Sequence, residues 1–381
     1  MNDHPIFNDE HRAIRKTLHE FVTKELTPHA DEWEEKGEFP SSVFHRMGEL
    51  GFLGLHYPEE YGGQGGDYLC GVILAEEMMH SLSGGLAMAI GVQTDMVCAL
   101  LHKVGSESIK ERFLRPALKG EKIGCLCITE PDAGSDVAGI RTSFVRDGND
   151  YILSGQKTFI TNGVRADFAI VVARSRGSEG PKGISILVVE KGTAGFSVSR
   201  KLEKVGMHSS DTAELAFQDC RVPEDNLLGE EDQGFYQIMW ELQPERLFAA
   251  ISSVAGAQRV LDTTLKYVRE RQQFGRPIGK FQAIRHRLAE MATNIEAARQ
   301  LSYHVAGLIN AGEFPAKEIS MAKLFATRVA YQVADEAMQF HGGYGYMMEF
   351  PIQRFWRDSR LARIGGGTDE IMLEIISRQM I

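Results

Sequence analysis

Several things this chain of 381 residues has little of narrow what it can be. Five cysteines, Cys70, Cys98, Cys125, Cys127 and Cys220, are scattered along it. Only Cys125 and Cys127 stand close, with no histidine or further cysteine at ligand spacing, so a zinc site is disfavoured and buried reduced thiols in a reducing compartment are expected. No Lys/Arg-rich block accompanies the formal charge of -10, which removes the electrostatic footprint for nucleic acid or an anionic membrane. No apolar run is read as approaching the ~20 residues of a membrane span. The N-terminal stretch "DEHRAIRKTLHEF" is charged and amphipathic, unlike a signal or transit sequence.

Familiar catalytic signatures are missing too. No G-x-G-x-x-G follows a strand, which argues against a Rossmann dinucleotide fold. "GRPIGK" (275–280) is one residue short of a P-loop, with Phe281 where Ser or Thr belongs. There is no H-E-x-x-H pair and no G-x-S-x-G elbow among the sequence's motifs.

What is present divides the chain in three, consistent with a length too great for one core. Helical spacing dominates residues 1–122, as in Ile14, Leu18, Phe21, Val22 and Leu26, interrupted by the Gly-rich loop at 56–67. Short β-branched runs with Gly, Asn and Asp turn signals fill 123–232. Helical spacing returns over 233–381, with long segments near 234–271, 281–312 and 315–341. The expectation is an α+β, mainly α protein: a helical domain, a central β-domain of barrel-like form, and a C-terminal helical domain.

Five segments then stand out: "CITEPDAGSD" (127–136), "KTFITNG" (157–163), "RQQFGRPIGKFQ" (271–282), "QFHGGYGYMMEFPIQRFWRD" (339–358) and "GGGTDEI" (365–371). In order and over essentially the whole chain they resemble the acyl-CoA dehydrogenase family. The resemblance implies a C-terminal four-helix bundle, with FAD bound between it and the β-domain without a Rossmann fingerprint. It places Cys127, Ile128, Thr129, Gly134 and Ser135 along the cofactor, Phe159 over the flavin face and Thr161 at its hydride-accepting nitrogen. Alternation along a strand sets Phe159 and Thr161 on one side. Arg271, Phe274, Gln282, Gln339, Gly342 and Gly343 match positions that hold the pyrophosphate and adenine of a neighbouring subunit's FAD, which implies a homo-oligomer, a tetramer in most relatives. Thr368 and Glu370 resemble further FAD contacts.

The reaction of that family requires a carboxylate base, and the C-terminal loop has none: where medium- and short-chain members hold glutamate, this chain has Gly366. Long-chain and isovaleryl-type members hold it on a helix, and Glu245 in "IMWELQPERLFAA" falls there. Independently of the resemblance, Ile238, Leu242, Glu245 and Ala249 share helical spacing, so Glu245 interrupts an apolar face and is costly unless paired or used. Pro244 is expected to kink or open that helix. Glu245, with its pKa raised toward neutrality by desolvation, is the expected general base, and the Gly366 N–H the expected donor to the thioester carbonyl. Tyr236, Gln243, Arg246, Ser135 and Gly367 complete the substrate contacts implied. The resemblance further implies a long-chain acyl-CoA as substrate, isovaleryl-like or citronellyl-like chains as the alternative, and electron-transfer flavoprotein as acceptor. A non-dehydrogenating flavoprotein, an acyl-CoA oxidase or an acyl-CoA-binding protein of the same superfamily are the rival classes. Bacterial cytoplasm, or the mitochondrial matrix for a processed chain, is the expected location.

Overall fold

A computed structural model describes residues 4–381. The principal helices of the first third are α1 (Asp9–Phe21), α2 (Tyr68–Met78) and α3 (Gly84–Val104). Asn8 starts α1 with a reciprocal cap: its Oδ1 accepts the His11 N–H (2.9 Å), and His11 Nδ1 accepts the Asn8 N–H (3.2 Å). Histidine here does what glutamate does in the usual capping box. Helix α2 buries every residue after its first, including Glu76 and Glu77, because α1 and the C-terminal helices cover it from several sides. Helix α3 corrects the reading that no apolar segment nears membrane-span length. It is 21 residues long and apolar enough to cross a bilayer, and 83% of its most apolar stretch is buried inside the protein. The polar triplet Gln93, Thr94 and Asp95 in its middle masked the run in the sequence.

Seven strands follow: β1 (Gly124–Cys127), β2 (Ser143–Asp147), β3 (Asp150–Thr161), β4 (Phe168–Ser175), β5 (Ile184–Glu190), β6 (Phe196–Lys201) and β7 (Thr212–Pro223). They form one sheet in the order β1-β4-β2-β3-β7-β6, with β5 paired antiparallel to β4. Strands β4 and β5 are buried on both faces, and their period of two sorts side chains into separate cores. Phe168, Ile170, Val172, Ile184, Ile186 and Val188 pack with α3 and the helices after it. Ala169, Val171, Ala173, Leu187 and Val189 pack with Tyr151, Leu153 and Leu215 inside the curl of the sheet.

The last third holds α4 (Gly234–Glu270), α5 (Gln282–Asn310), α6 (Ala316–His341), α7 (Ile352–Ser359) and α8 (Asp369–Arg378). The expected bundle is therefore three long helices, with short α7 and α8 packed on α6. Helix α4 runs unbroken through Pro244, so the expected opening there does not occur. The ring instead leaves the Trp240 carbonyl without its usual donor four residues on. Gly91 of α3 meets Phe248 of α4 so closely that a Cβ would lie 2.3 Å from the ring, which fixes how these two helices cross.

A buried ion pair anchors the turn after β1. Lys157 Nζ donates to Glu130 Oε1 (2.7 Å) and to the Ile128 carbonyl (2.8 Å), while Glu130 also accepts the Arg141 and Thr142 N–H groups. Removing one partner of such a pair strands the other charge. Lys157→Met is expected to cost about 3 kcal/mol, read as a lower urea midpoint, while a paired Lys157→Met, Glu130→Gln change recovers part of the loss.

Candidate active site

Helix α4 and the loop before α8 meet at the centre of the site. Gly366 has φ +66°, a left-handed backbone that disfavours a side chain, and a Cβ built on it would lie 3.0 Å from Glu245 Oε1. The half-buried Glu245 carboxylate thus lies against the bare face of Gly366. Arg246, the next residue on α4, donates from Nε to the Gly366 carbonyl (2.9 Å), and Lys323 of α6 donates to the Gly367 carbonyl. With both carbonyls held by cations, the Gly366 N–H has no acceptor among the described residues. Thr368 caps α8 by accepting the Ile371 N–H (3.4 Å), and Asp369 behind it is clamped by Arg363 and Arg328. The loop is rigid at both ends.

Electrostatics single out Glu245 and a neighbour that sequence reasoning missed. Burial pushes the Glu245 carboxyl above its ordinary value, against the lowering influence of Arg246 and Lys323. One helical turn earlier, Glu241 is fully buried, with neither carboxylate oxygen hydrogen-bonded. Burial, then the charge of Glu245, push it well above the usual carboxylate range. Asp95 of α3, hydrogen-bonded by Thr94 Oγ1 (2.6 Å), is pushed up to about 7 by burial. Lys323 is pulled down to about 8 by burial. The i, i+4 spacing in "WELQPERL" was the available signal for Glu241; nothing local marked Asp95 or Lys323, which come from other helices.

The turn after β1 is tied to β3: the Thr158 N–H donates to the Thr129 carbonyl (2.9 Å) as Lys157 does to that of Ile128. Ile128 and Thr129 are half-buried, and Gly134 and Ser135 are exposed on the turn. Cys127 faces the curl of the sheet, its Sγ 3.7 Å from that of Cys125, so its side chain is turned away from the cleft. Phe159 and Thr161 share the less buried side of β3, as alternation predicts. Phe159 arrives there through a bulge with φ +62° and stays 69% exposed. A left-handed backbone at a bulky residue is strained, and such strain gathers at functional sites.

A second, separate cleft of about 700 Å³ lies where the start of α5 meets the end of α6. Arg271, Phe274, Gln339, Gly342 and Gly343 line it, with Tyr344 under the Arg271 guanidinium at 5.4 Å. Phe274 is 91% exposed. Gln282, the first residue of α5, is exposed but stands outside this lining. Tyr236, at the start of α4, and Glu370, in the first turn of α8, are exposed. Gln243 is buried, with its amide donating to the Met239 carbonyl (3.0 Å); two residues from both Glu241 and Glu245, it points to another side of α4. Gly367 flanks Arg246, whose Nη2 would sit 3.4 Å from a Cβ there.

Comparison with known proteins matches three family models: "Acyl-CoA dehydrogenase, N-terminal domain" over residues 8–121, "middle domain" over 125–220 and "C-terminal domain" over 232–381. The long-chain specific acyl-CoA dehydrogenase of Mus musculus mitochondria is 40% identical over 99% of this chain and 87% of that protein. The isovaleryl-CoA dehydrogenase of Pongo abelii mitochondria is 40% identical over 97% of this chain and 88% of that protein. The crystal structure of acyl-CoA dehydrogenase from Geobacillus kaustophilus superposes with a TM-score of 0.96 at 44% identity, covering 98% of each chain.

The carboxyl cluster makes folding stability depend on pH. Glu241 ionises near 4.5 in the unfolded chain but keeps its proton well above that in the fold. The folded state therefore binds more protons, and stability falls as pH rises above about 4.5. Asp95 acts with the same sign between 3.8 and about 7. Glu241→Gln is expected to flatten the fall in melting temperature between about pH 5 and about pH 8, leaving the variant more stable by at least ~1 kcal/mol at the upper end. Parallel wild-type and variant curves would show that Glu241 is ionised in the fold.

Proposed function

Because this chain belongs to the acyl-CoA dehydrogenase family and is an FAD-dependent oxidoreductase, we propose that it desaturates long-chain acyl-CoA thioesters between the alpha and beta carbons, with Glu245 as base. The observation that carries this reading is the Glu245 carboxylate set against Gly366. Relatives with a loop glutamate hold it at the position of Gly366, and here the helix-borne carboxylate fills that same space.

The residues present fit FAD. Phe159 offers a flat exposed face beside Thr161 on β3, and the side-chain positions of Gly134, Gly342 and Gly343 meet no atom within 4 Å, leaving backbone open to a ligand. Ile128, Thr129, Gly134, Ser135, Phe159 and Thr161 would hold the flavin half. Arg271, Phe274, Gln339, Gly342 and Gly343 would hold the pyrophosphate and adenine of a neighbouring subunit's cofactor, an arginine fork suiting a diphosphate. Gln282, Thr368 and Glu370 stand at the margins of these two groups. Since the two clefts are separate on one chain, this arrangement calls for a homo-oligomer, and we favour a dimer of dimers. FAD, when bound, accepts the hydride from the beta carbon, and electron-transfer flavoprotein is the acceptor we favour beyond it.

The chain's own residues do the rest. Glu245 takes the alpha proton as a carboxylate whose raised pKa keeps it strong enough to hold that proton. The free N–H of Gly366 donates to the thioester oxygen as negative charge gathers there, a contribution of about 3 kcal/mol to the barrier. Arg246 and Lys323 keep the Gly366 and Gly367 carbonyls turned away, so that this donor faces the substrate. Tyr236, exposed at the start of α4, and Arg246, buried behind it, would line the CoA side of the cleft, and Ser135 would contact both pyrophosphate and thioester.

The case for a long chain rests on Gly365, where many straight-chain relatives carry tyrosine: a Cβ there would come no nearer than 3.9 Å to another residue, and with no loop glutamate beside it the pocket is wider near the reacting carbons. The same room suits a branched acyl group, and long-chain and isovaleryl relatives are equally similar, so a branched chain is the second reading. Anaerobic mixing with palmitoyl-CoA and with isovaleryl-CoA, followed at the flavin band near 450 nm, tests both parts. Glu245→Gln is expected to retain FAD and bleach about 100-fold more slowly than wild type. Faster bleaching by isovaleryl-CoA than by palmitoyl-CoA would overturn the long-chain assignment, and an undiminished rate in the variant would overturn the base.

A further inference from the structure

Away from the active site, three side chains converge where α1 passes the end of α2. His19 stands on α1, Glu77 near the end of α2, and His80 in the short turn Met79–Ser81 that follows it. His19 Nδ1 is 2.9 Å and His80 Nε2 3.7 Å from the same oxygen, Glu77 Oε2, and all three donor atoms lie within 4.8 Å of one another. The two imidazoles meet edge to face, centroids 4.6 Å apart, and each brings one ring nitrogen to Glu77 Oε2. A zinc-class ion bound at ~2.1 Å to nitrogen and oxygen sets its tetrahedral ligands roughly 3.4 Å apart. The observed spacings of 2.9 and 3.7 Å straddle that value, so small side-chain rotations suffice to close the site.

The surroundings supply two further conditions. Arg15 donates from Nη1 to Glu77 Oε1 (3.0 Å) and pairs through Nη2 with Glu76 (2.6 Å), so Oε2 of Glu77 is the oxygen left for an ion. Such an outer contact orients a ligating carboxylate. Arg15 also shares its single charge between two carboxylates that are both more than 90% buried, which leaves one buried negative charge to be met by another cation. The turn bearing His80 is fixed by Thr27 Oγ1, which donates to the His80 carbonyl (2.9 Å). His19 is about half exposed, so water can complete the coordination.

The other clustered group, His11, Asp67 and Cys70, lacks these features. His11 Nδ1 and Asp67 are engaged in capping α1 and α2, and burial pushes the Cys70 thiol up to about 11, far from the thiolate a metal requires.

We propose that His19, Glu77 and His80 form a binding site for a divalent ion of the zinc class, pinning α1 to the end of α2. Coordination by two neutral imidazoles and a carboxylate, with a water-accessible fourth position, is a usual donor set for that ion. The test is calorimetric titration of the FAD-loaded protein with Zn²⁺, alongside the melting temperature with and without Zn²⁺ and the visible spectrum with Co²⁺. Expected are one ion per subunit, a Zn²⁺-dependent rise in melting temperature, and tetrahedral Co²⁺ bands. His80→Gln and the solvent-facing His19→Gln should each weaken binding at least ~10-fold while leaving the ion-free melting temperature close to wild type. No saturable binding, or binding that both variants retain at wild-type strength, would overturn the site and leave an ordinary His19–Glu77 ion pair.

Discussion

The site depends on one packing constraint: a carboxylate placed in an apolar interior must have something small opposite it and something charged beside it. Gly366 meets the first need and Arg246 with Lys323 the second. The same two cations hold the loop carbonyls, so the groups that moderate the desolvation of Glu245 also fix the loop beside it. Charge balance and loop geometry are therefore one interaction, and neither can be altered alone. Glu241 extends this logic. A neutral acid one turn from an ionised one costs less than two charges, and it lets α4 carry both carboxyl groups through the core.

The sheet serves the site indirectly. Because β4 and β5 are covered on both faces, they separate a core shared with the helices from a core inside the curl. Strand β3 gives Tyr151 and Leu153 to the core inside the curl and presents Phe159 outward at its bulge, while the Lys157–Glu130 pair ties the neighbouring turn to that strand. Two segments distant in sequence are thereby set side by side on a buried electrostatic bond. The long helices, in turn, bring α4 and the α8 loop together over α6, which contributes Lys323 from its middle.

Much of this was legible before the structure. The division into helices, strands and helices follows from periodicity, and the long segments of the last third begin and end within two residues of the expected places. Glu245 was visible as a carboxylate in an apolar stripe. Other features were not. Helix α3 escaped notice as an apolar run because its polar residues, buried here, read as breaks. The left-handed backbone of Phe159 has no glycine to announce it. Pro244 sits in a continuous helix because α4 is held along its length by tertiary packing, which outweighs one lost hydrogen bond. Gln243, expected among the substrate contacts, is buried with its amide on the Met239 carbonyl, an engagement that nothing local in the sequence marks. Asp95 and Lys323 reach the site only through the way three helices cross, which no local pattern encodes.

The contact between Glu245 and Gly366 also bears on how such a protein can change over generations. A side chain at residue 366 and the glutamate at residue 245 compete for one volume. A change at one of these positions therefore alters the space available at the other. The two positions are thus coupled: a side chain at 366 requires the Glu245 carboxylate to move aside. A glycine with no side chain of its own is thereby constrained by the glutamate it faces.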